Sequence, residues 1–505
     1  MPAVILSTGQ SELLRDRVLQ LLEDVGLKVE SDELQTLLLR RGWTTRPSGR
    51  ISVPRGLIAE MVDMQRPSQP QDVLDQELHL RCGVDFAHHV VWNKRQDELR
   101  RRHRDGVLIS AFDCGPSTYY DYDRGELRPV DTEVFVRMMK FAQTTPEIGY
   151  ISTWYRQDVP QEVERIASLV LALRYTDKVD GIEAIDPAVI KYLAAISEIL
   201  TGRSGDCSCL AGSECMTSPL VLERRSAEDI LERRRYAVHR YHVASMPTLG
   251  AAVPCSVAGG LLMTAAEILG GMAVCFAVDP ESDLSGRAIA IGMDMRTASS
   301  TPSAPEATSV NLAVKELFDA WWGGHLWVEV FFSPFAKRPG LQAVYENFAG
   351  QWRYSKLVDN SDIPYPGMGT LNSGGTGSPV QFMLDLEIIK SQFALPGSAV
   401  LDEDQLPFAE ICETVAARGD FLASEHTARH CRELWHSRLF RTDSPFHGLW
   451  RGDEKSILDD CQWRWQENLR HFQAPSRAED TTRALEGVLA RAKREFGISW
   501  SERPL

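Results

Sequence analysis

Aromatic rings and carboxylates recur side by side at a few places in this 505-residue chain. They are Phe112-Asp113 with Tyr119 and Tyr120, Trp154-Tyr155, Glu183, Glu214, Asp294, Glu329 with Phe331 and Phe332, and Tyr365. Rings with carboxylates among them suit an organic cation, because each ring face attracts positive charge by about 0.5–2 kcal/mol. Trp154, Tyr155, Phe331 and Tyr365 are the rings expected to hold the ligand, with Asn372 as a polar contact. Asp294 and Glu329 are the expected catalytic carboxylates, placed to balance the cation. Any one of these rings taken alone is ordinary core; their shared placement carries the reading.

Other constellations are less specific. Cys207, Cys209 and Cys215 form C-x-C-x5-C, which lacks the paired C-x2-C spacing of a structural zinc site. Cysteine also behaves as a small apolar side chain, so these three are expected to fill space, and no metal is expected. His88-His89 and His239/His242 come without an H-E-x-x-H pattern and read as ordinary surface or helix-face residues. The turn Gly374–Ser378 before Pro379 has the composition of a phosphate-binding helix start, and equally that of a plain strand-to-helix turn.

The elements that must position these groups form a rhythm. Eight short apolar stretches, each followed by a helical pattern, run through the chain: 106–113, 148–154, 179–185, 207–212, 243–250, 288–293, 325–332 and 362–369. Their spacing is that of βα units. Eight such units in series predict an α/β fold, a (β/α)8 barrel, with its site at the C-terminal ends of the strands. Helices are expected near 131–143, 160–175, 187–201, 227–242, 255–274, 305–321, 340–353 and 379–392. The predicted domains are a helical N-terminal cap at 1–105, the barrel at 106–393, and a helical extension at 394–505 that packs on it.

Composition narrows the function. The formal net charge is −15, with 43% hydrophobic and 25% charged residues. That balance opposes general nucleic-acid binding, which needs a basic surface; the clusters Arg100–Arg104 and Arg233–Arg235 read as solvated faces. The start has no basic region ahead of an apolar run, so no secretory signal is expected. The least polar segment, 251–278, contains Glu267 and glycines and reads as a buried barrel helix rather than a membrane span. A cytoplasmic protein with reduced, buried thiols follows from the ten cysteines and their apolar settings.

Several stretches carry a resemblance. LLEDVGLKVESDEL (21–34), ISVPRGLIAEMV (51–62), DRGELRPVDTEVF (123–135), GAAVPCSVAGGLLMTAAEIL (250–269), MDMRTASSTPSAPEA (293–307) and EHTARHCRE (425–433) resemble, in order, the trimethylamine methyltransferase family. The resemblance implies a barrel enzyme that moves a methyl group from a methylamine or betaine to the cobalt of a corrinoid. All residues are standard, so the chain looks like the branch without pyrrolysine, whose members use quaternary amines such as glycine betaine. Where many members read D-A-K after the seventh strand, Phe335-Ala336-Lys337 stands here. The D-x-H-x-x-G corrinoid signature is missing, the nearest string being Asp85-Phe-Ala-His88. The expectation is therefore no cofactor in this chain itself, a separate corrinoid carrier protein as partner, a small quaternary-amine substrate, and self-association as a further possibility. Two other readings remain open at this point: a lyase or isomerase using the Gly374–Ser378 turn for phosphate, and a betaine-binding relative without catalysis.

Overall fold

The computed structural model describes residues 5–65, 109–112, 115–179, 181–207, 209–301, 304–322, 327–330, 334–348, 368–394, 401–402, 404–440 and 453–502. The architecture is mixed α/β, with helices alternating with short strands.

Antiparallel hairpins such as Thr118–Asp121 with Glu126–Pro129 lie in the connections, while the strands that alternate with the helices pair in parallel and in chain order. Ile109–Ala111 pairs with Ile148–Ile151, and Ile151 bridges to Val179. Ile182–Glu183 pairs with Leu210–Ala211. Glu214–Thr217 pairs with Arg240–Ser245, which pairs with Asp283–Ala288, which pairs with Trp327–Val330. Met368 then bridges in parallel to Ala111, so the eighth expected segment returns to the first. The segment between Val330 and Pro334, and residues 349–367, fall outside the described residues.

Seven of the eight expected helices have both ends described, and those ends are shifted; of the one expected near 340–353, residues 341–348 are helical and the remainder lies outside the described residues. The seven are Thr132–Thr144, Gln161–Tyr175, Ile190–Thr201, Arg224–Arg235, Val257–Val278, Pro305–Trp322 and Pro379–Phe393. Two shifts are informative. The strands expected at 243–250 and 288–293 lie earlier, at Arg240–Ser245 and Asp283–Ala288, and the helix expected at 227–242 stops at Arg235. DLSGRA carries polar residues on alternate positions and RYHVAS does so over Arg240–Val243, so neither reads as a continuous apolar run. His242, Ser285 and Arg287 turn out to lie on the face of the candidate site, whereas Ser245 turns to the helix side and bonds Glu267.

The register of this sheet shows which side is which. A Cβ added at Gly271 of the helix Val257–Val278 would meet Val243 at 2.5 Å, and one added at Gly286 would meet Ile268 and Met272 at 2.8 and 2.9 Å. Val243 and Gly286 therefore face that helix. Period-2 alternation turns His242, Ala244, Ser285 and Arg287 to the opposite, inner face. The helix itself is long and apolar enough to cross a membrane, but 89% of its most apolar window is buried inside the protein. It packs against the strands on one side and against the N-terminal helix Thr8–Asp24 on another, with Leu22 and Leu27 crowding Gly270.

The flanks are helical. Helices Thr8–Asp24, Asp32–Arg40 and Arg55–Met64 precede the strands. Ser7 and Gln10 form a capping box at the first, and the Ser31 side chain caps the second. Near the other end, Glu454–Leu469 packs on Pro379–Phe393 and Thr132–Thr144, and Glu479–Glu495 packs on Ile190–Thr201 and Gln161–Tyr175. Trp465 is fully buried in that seam.

Candidate functional site

The inner face is built in rows by the strand register. His242 stands beside Ser285, and its Nδ1 lies 2.7 Å from the Ser285 Oγ. One row nearer the C-terminal ends come Cys215, Ala244, Arg287 and Glu329, neighbours in successive strands. Leu284, Gly286 and Ala288 are buried against helices, while Ser285 and Arg287 keep partial exposure. Partly exposed polar residues between buried apolar ones, as at Ser285 and Arg287, are what a strand facing a ligand cavity looks like, while His242 and Ala244 on the neighbouring strand are buried.

The rim is made by the ends of earlier strands. Glu183 accepts a 3.0 Å bond from Arg225 and lies 3.5 Å from the Tyr155 hydroxyl. Gly212, at φ +109°, passes so close that a Cβ there would lie 2.6 Å from the Glu183 Cγ, so only glycine admits the carboxylate. Tyr155 is held from behind by Arg165, whose guanidinium lies 3.6 Å from the ring centroid. Arg165 is buried and paired with Glu164 at 2.5 Å; Glu164 also accepts from the Arg156 backbone N–H and the Ser168 hydroxyl. Burial pushes the Cys215 thiol up to about 11, with the Glu183 charge adding to the rise and Arg225 and Arg287 opposing it.

The trimethylamine methyltransferase family model matches residues 106–497. The chain belongs to the trimethylamine methyltransferase family. A glycine betaine methyltransferase of Desulfitobacterium hafniense (strain Y51) is 21% identical over 98% of each chain. A trimethylamine methyltransferase of Desulfitobacterium hafniense (strain DSM 10664 / DCB-2) is 24% identical over 57% of this chain and 56% of its own. Another, from Methanosarcina mazei, is 26% identical over 56% of this chain and 55% of its own.

Within this family member, the expected site residues are placed unevenly. Tyr155 is at the rim, and Glu329 occupies the register position opposite Arg287. Trp154 is fully buried: it meets Phe112 edge-on at 5.0 Å and lies beneath Gly377, in the hydrophobic core rather than at an open mouth. Asp294 sits in the hairpin Gly292–Asp294/Ser299–Thr301, its carboxylate bound by Arg296 at 2.9 Å, and this pairing holds it below the usual carboxylate range. It is neutralised within its own turn and is not part of the inner row. Asn372, at φ +52°, receives Lys337 on its side-chain oxygen and donates its backbone N–H to Ala336. The Phe335-Ala336-Lys337 run is thereby joined to the turn after Met368. Phe331 and Tyr365 lie outside the described residues, as do Asp113, Phe332 and His88-His89.

Three other expectations meet the structure here. Glu214 faces the helix layer, not the mouth: it pairs with buried Arg233 at 2.9 Å and accepts the His242 backbone N–H. Arg233 is accordingly no solvated residue; Glu214 and Asp229 hold it in the interior, while Arg235 is exposed. The Gly374–Ser378 turn uses its N–H groups internally. Gly374 donates to Leu371, Gly375 to Asn372 and Ser378 to Gly369, and the Ser378 hydroxyl caps Gln381. Little is left there to cradle a phosphate. Cys209 is buried as a core filler, while Cys207 keeps partial exposure. Among the described residues, no three His, Cys, Asp or Glu side chains cluster as a metal site.

Arg287, Ser285, His242 and Arg225 were not singled out as site residues from sequence. The available signal was the alternation of polar residues in DLSGRA and in the first four residues of RYHVAS, the pattern of strands open on one face.

Proposed function

We propose that this chain takes a methyl group from a quaternary amine of the betaine type and delivers it to a corrinoid carried by a separate protein. The reaction would take place at the C-terminal mouth of a (β/α)8 barrel. The observation that carries the reading is the inner row Cys215–Ala244–Arg287–Glu329 beneath the Tyr155–Glu183 rim, in a chain similar over 98% of its length to a glycine betaine methyltransferase. The barrel reading is supported by parallel pairing in chain order and by the return of Met368 to Ala111.

A quaternary ammonium has no lone pair, so departure of one methyl group leaves a tertiary amine without any proton transfer. A docked, reduced corrinoid supplies the nucleophile. The chain's own residues bind the cation, orient one methyl group outward and exclude water. Glu183 and the Tyr155 ring provide the negative and aromatic surface for the ammonium. The rim also suits a flat, apolar macrocycle: Met246, just past the strand Arg240–Ser245, is 48% exposed, and Met295, in the hairpin after Asp283–Ala288, is 72% exposed. Gly250 lies against Met295, so a Cβ there would sit 3.6 Å from its sulfur.

The test is methyl transfer from glycine betaine to reduced cobalamin, with and without a cognate carrier protein. Demethylated amine should appear, and faster with the carrier. Corrinoid bound tightly to the purified chain alone would overturn the two-protein reading. A lack of turnover alongside firm betaine binding would favour a binding protein.

A further inference from the structure

We propose that Arg287 receives the carboxylate of a zwitterionic substrate, so that this site selects a quaternary ammonium carrying an anionic tail over a bare cation. The inference rests on the function proposed above and deepens it by assigning the specificity to one residue.

The first observation is charge balance. On the described inner face and rim, Glu183 has a guanidinium as its neighbour, that of Arg225 at 3.0 Å, and the backbone position of Glu329 falls in register with that of Arg287. A cavity built only for a bare cation gains most from unmatched negative charge. One that offers acid and base side by side suits a ligand that carries both signs and no net charge. Neighbouring strands lie about 4.8 Å apart, a separation of the same order as that between the ammonium and carboxylate of a betaine, which are joined through one methylene.

The second observation is room. Ala244 stands between Cys215 and Arg287 in the row, so the smallest side chain separates the thiol from the guanidinium. The His242–Ser285 contact lies one row deeper and forms a polar floor. Arg287 keeps partial exposure although the flanking Gly286 and Ala288 are buried.

The third is chemical. A guanidinium has five N–H donors, and one carboxylate engages at most two of them, so an arginine already engaged by a neighbour still has donors for a second carboxylate. Its planar fork matches a carboxylate better than an ammonium does, which makes the arginine–lysine exchange a useful probe.

The experiment is calorimetric titration of the full chain with glycine betaine and with tetramethylammonium. Wild type should bind betaine at least about tenfold more tightly, as expected for a charge-assisted hydrogen bond. Arg287→Gln should weaken betaine binding by about 10- to 100-fold and leave tetramethylammonium within twofold of wild type; Arg287→Lys should recover part of the loss. Thermal melts identify a variant that does not fold, and the wild-type preference between the two ligands stands independently of any variant. Equal wild-type affinities, or an Arg287→Gln variant that loses both ligands alike, would overturn the assignment while leaving the quaternary-amine reading intact. Wild type binding neither ligand would overturn that reading, and this one with it.

Discussion

The Arg165 guanidinium lies 3.6 Å from the centre of the Tyr155 ring and is buried beside Glu164. One face of that ring is therefore occupied by the protein's own cation. A ligand meets the remaining surface, beside Glu183 and below the Arg225 contact. The Glu164–Arg165 pair acts as a backing that fixes the ring's orientation, with Glu164 tied to the main chain at Arg156.

Tyr155→Ala should weaken glycine betaine binding by about 3- to 30-fold, the loss of one cation–π partner. Tyr155→Phe should stay close to wild type, because the hydroxyl lies 3.5 Å from Glu183, at the outer limit of a hydrogen bond. Isothermal titration gives both values. If Tyr155→Ala binds as wild type, the rim is not where the ammonium sits.

Cys215 should be slow to alkylate at neutral pH. Burial holds its thiol protonated up to about pH 11, and the thiolate is the reacting form. Peptide mapping after iodoacetamide should show the exposed Cys255 and Cys431 modified first at pH 8. Cys215 labelling should rise steeply only as pH climbs toward 11, and betaine should slow it further. Rapid labelling at pH 7, indifferent to betaine, would contradict both its burial and its place in the row.

Glu214→Gln should alter the pH dependence of stability. Burial among helix-facing residues pushes the Glu214 carboxyl up, against the opposing pull of Arg233. A carboxyl whose folded pKa exceeds its unfolded one binds its proton more tightly in the native state. Its contribution is greatest below the ordinary carboxylate range and falls as pH rises from about 4.5 toward the raised value. Wild type should therefore lose melting temperature relative to Glu214→Gln across that interval. Parallel melting curves from pH 5 to pH 8 would show that Glu214 stays ionised.

Most of the helical frame was legible because its signals are local. Asp131 caps Thr132–Thr144 as its position before Thr132-Glu133 suggests, and the helix Pro379–Phe393 begins after Ser378 as expected. The strands were legible where both faces are apolar, as in Ile148–Ile151, all four residues of which are buried. They were misplaced by several residues where one face is polar for the site's sake, at Arg240–Ser245 and Asp283–Ala288. Site residues fared worse, because a ring's direction depends on tertiary packing. Trp154 and Tyr155 are adjacent and chemically similar, yet the first is sealed in the core and the second stands at the rim. Asp294 reads as a free acid in sequence, but the arginine two residues on binds it.

The contrast between those two neighbours can be tested directly. Trp154 has no exposed surface, and a Cβ on Gly377 would lie 2.2 Å from its indole ring. Gly377→Ala should therefore destabilise by overpacking, at a cost of about 1–3 kcal/mol or more. Trp154→Phe removes the part of the ring that clashes, together with an indole N–H that is buried without a hydrogen-bond partner among the described residues. In the double variant the smaller ring should leave room for the new methyl group. Its loss of stability in urea denaturation should then be clearly less than the sum of the two single losses, as expected for residues in contact. Trp154→Phe alone should lower stability while leaving betaine affinity near wild type, the reverse of the pattern predicted for Tyr155→Ala. Additive losses in the double variant would mean that Gly377 and Trp154 do not touch. A Trp154→Phe variant that keeps its stability but loses betaine would put this tryptophan back in the ligand cage.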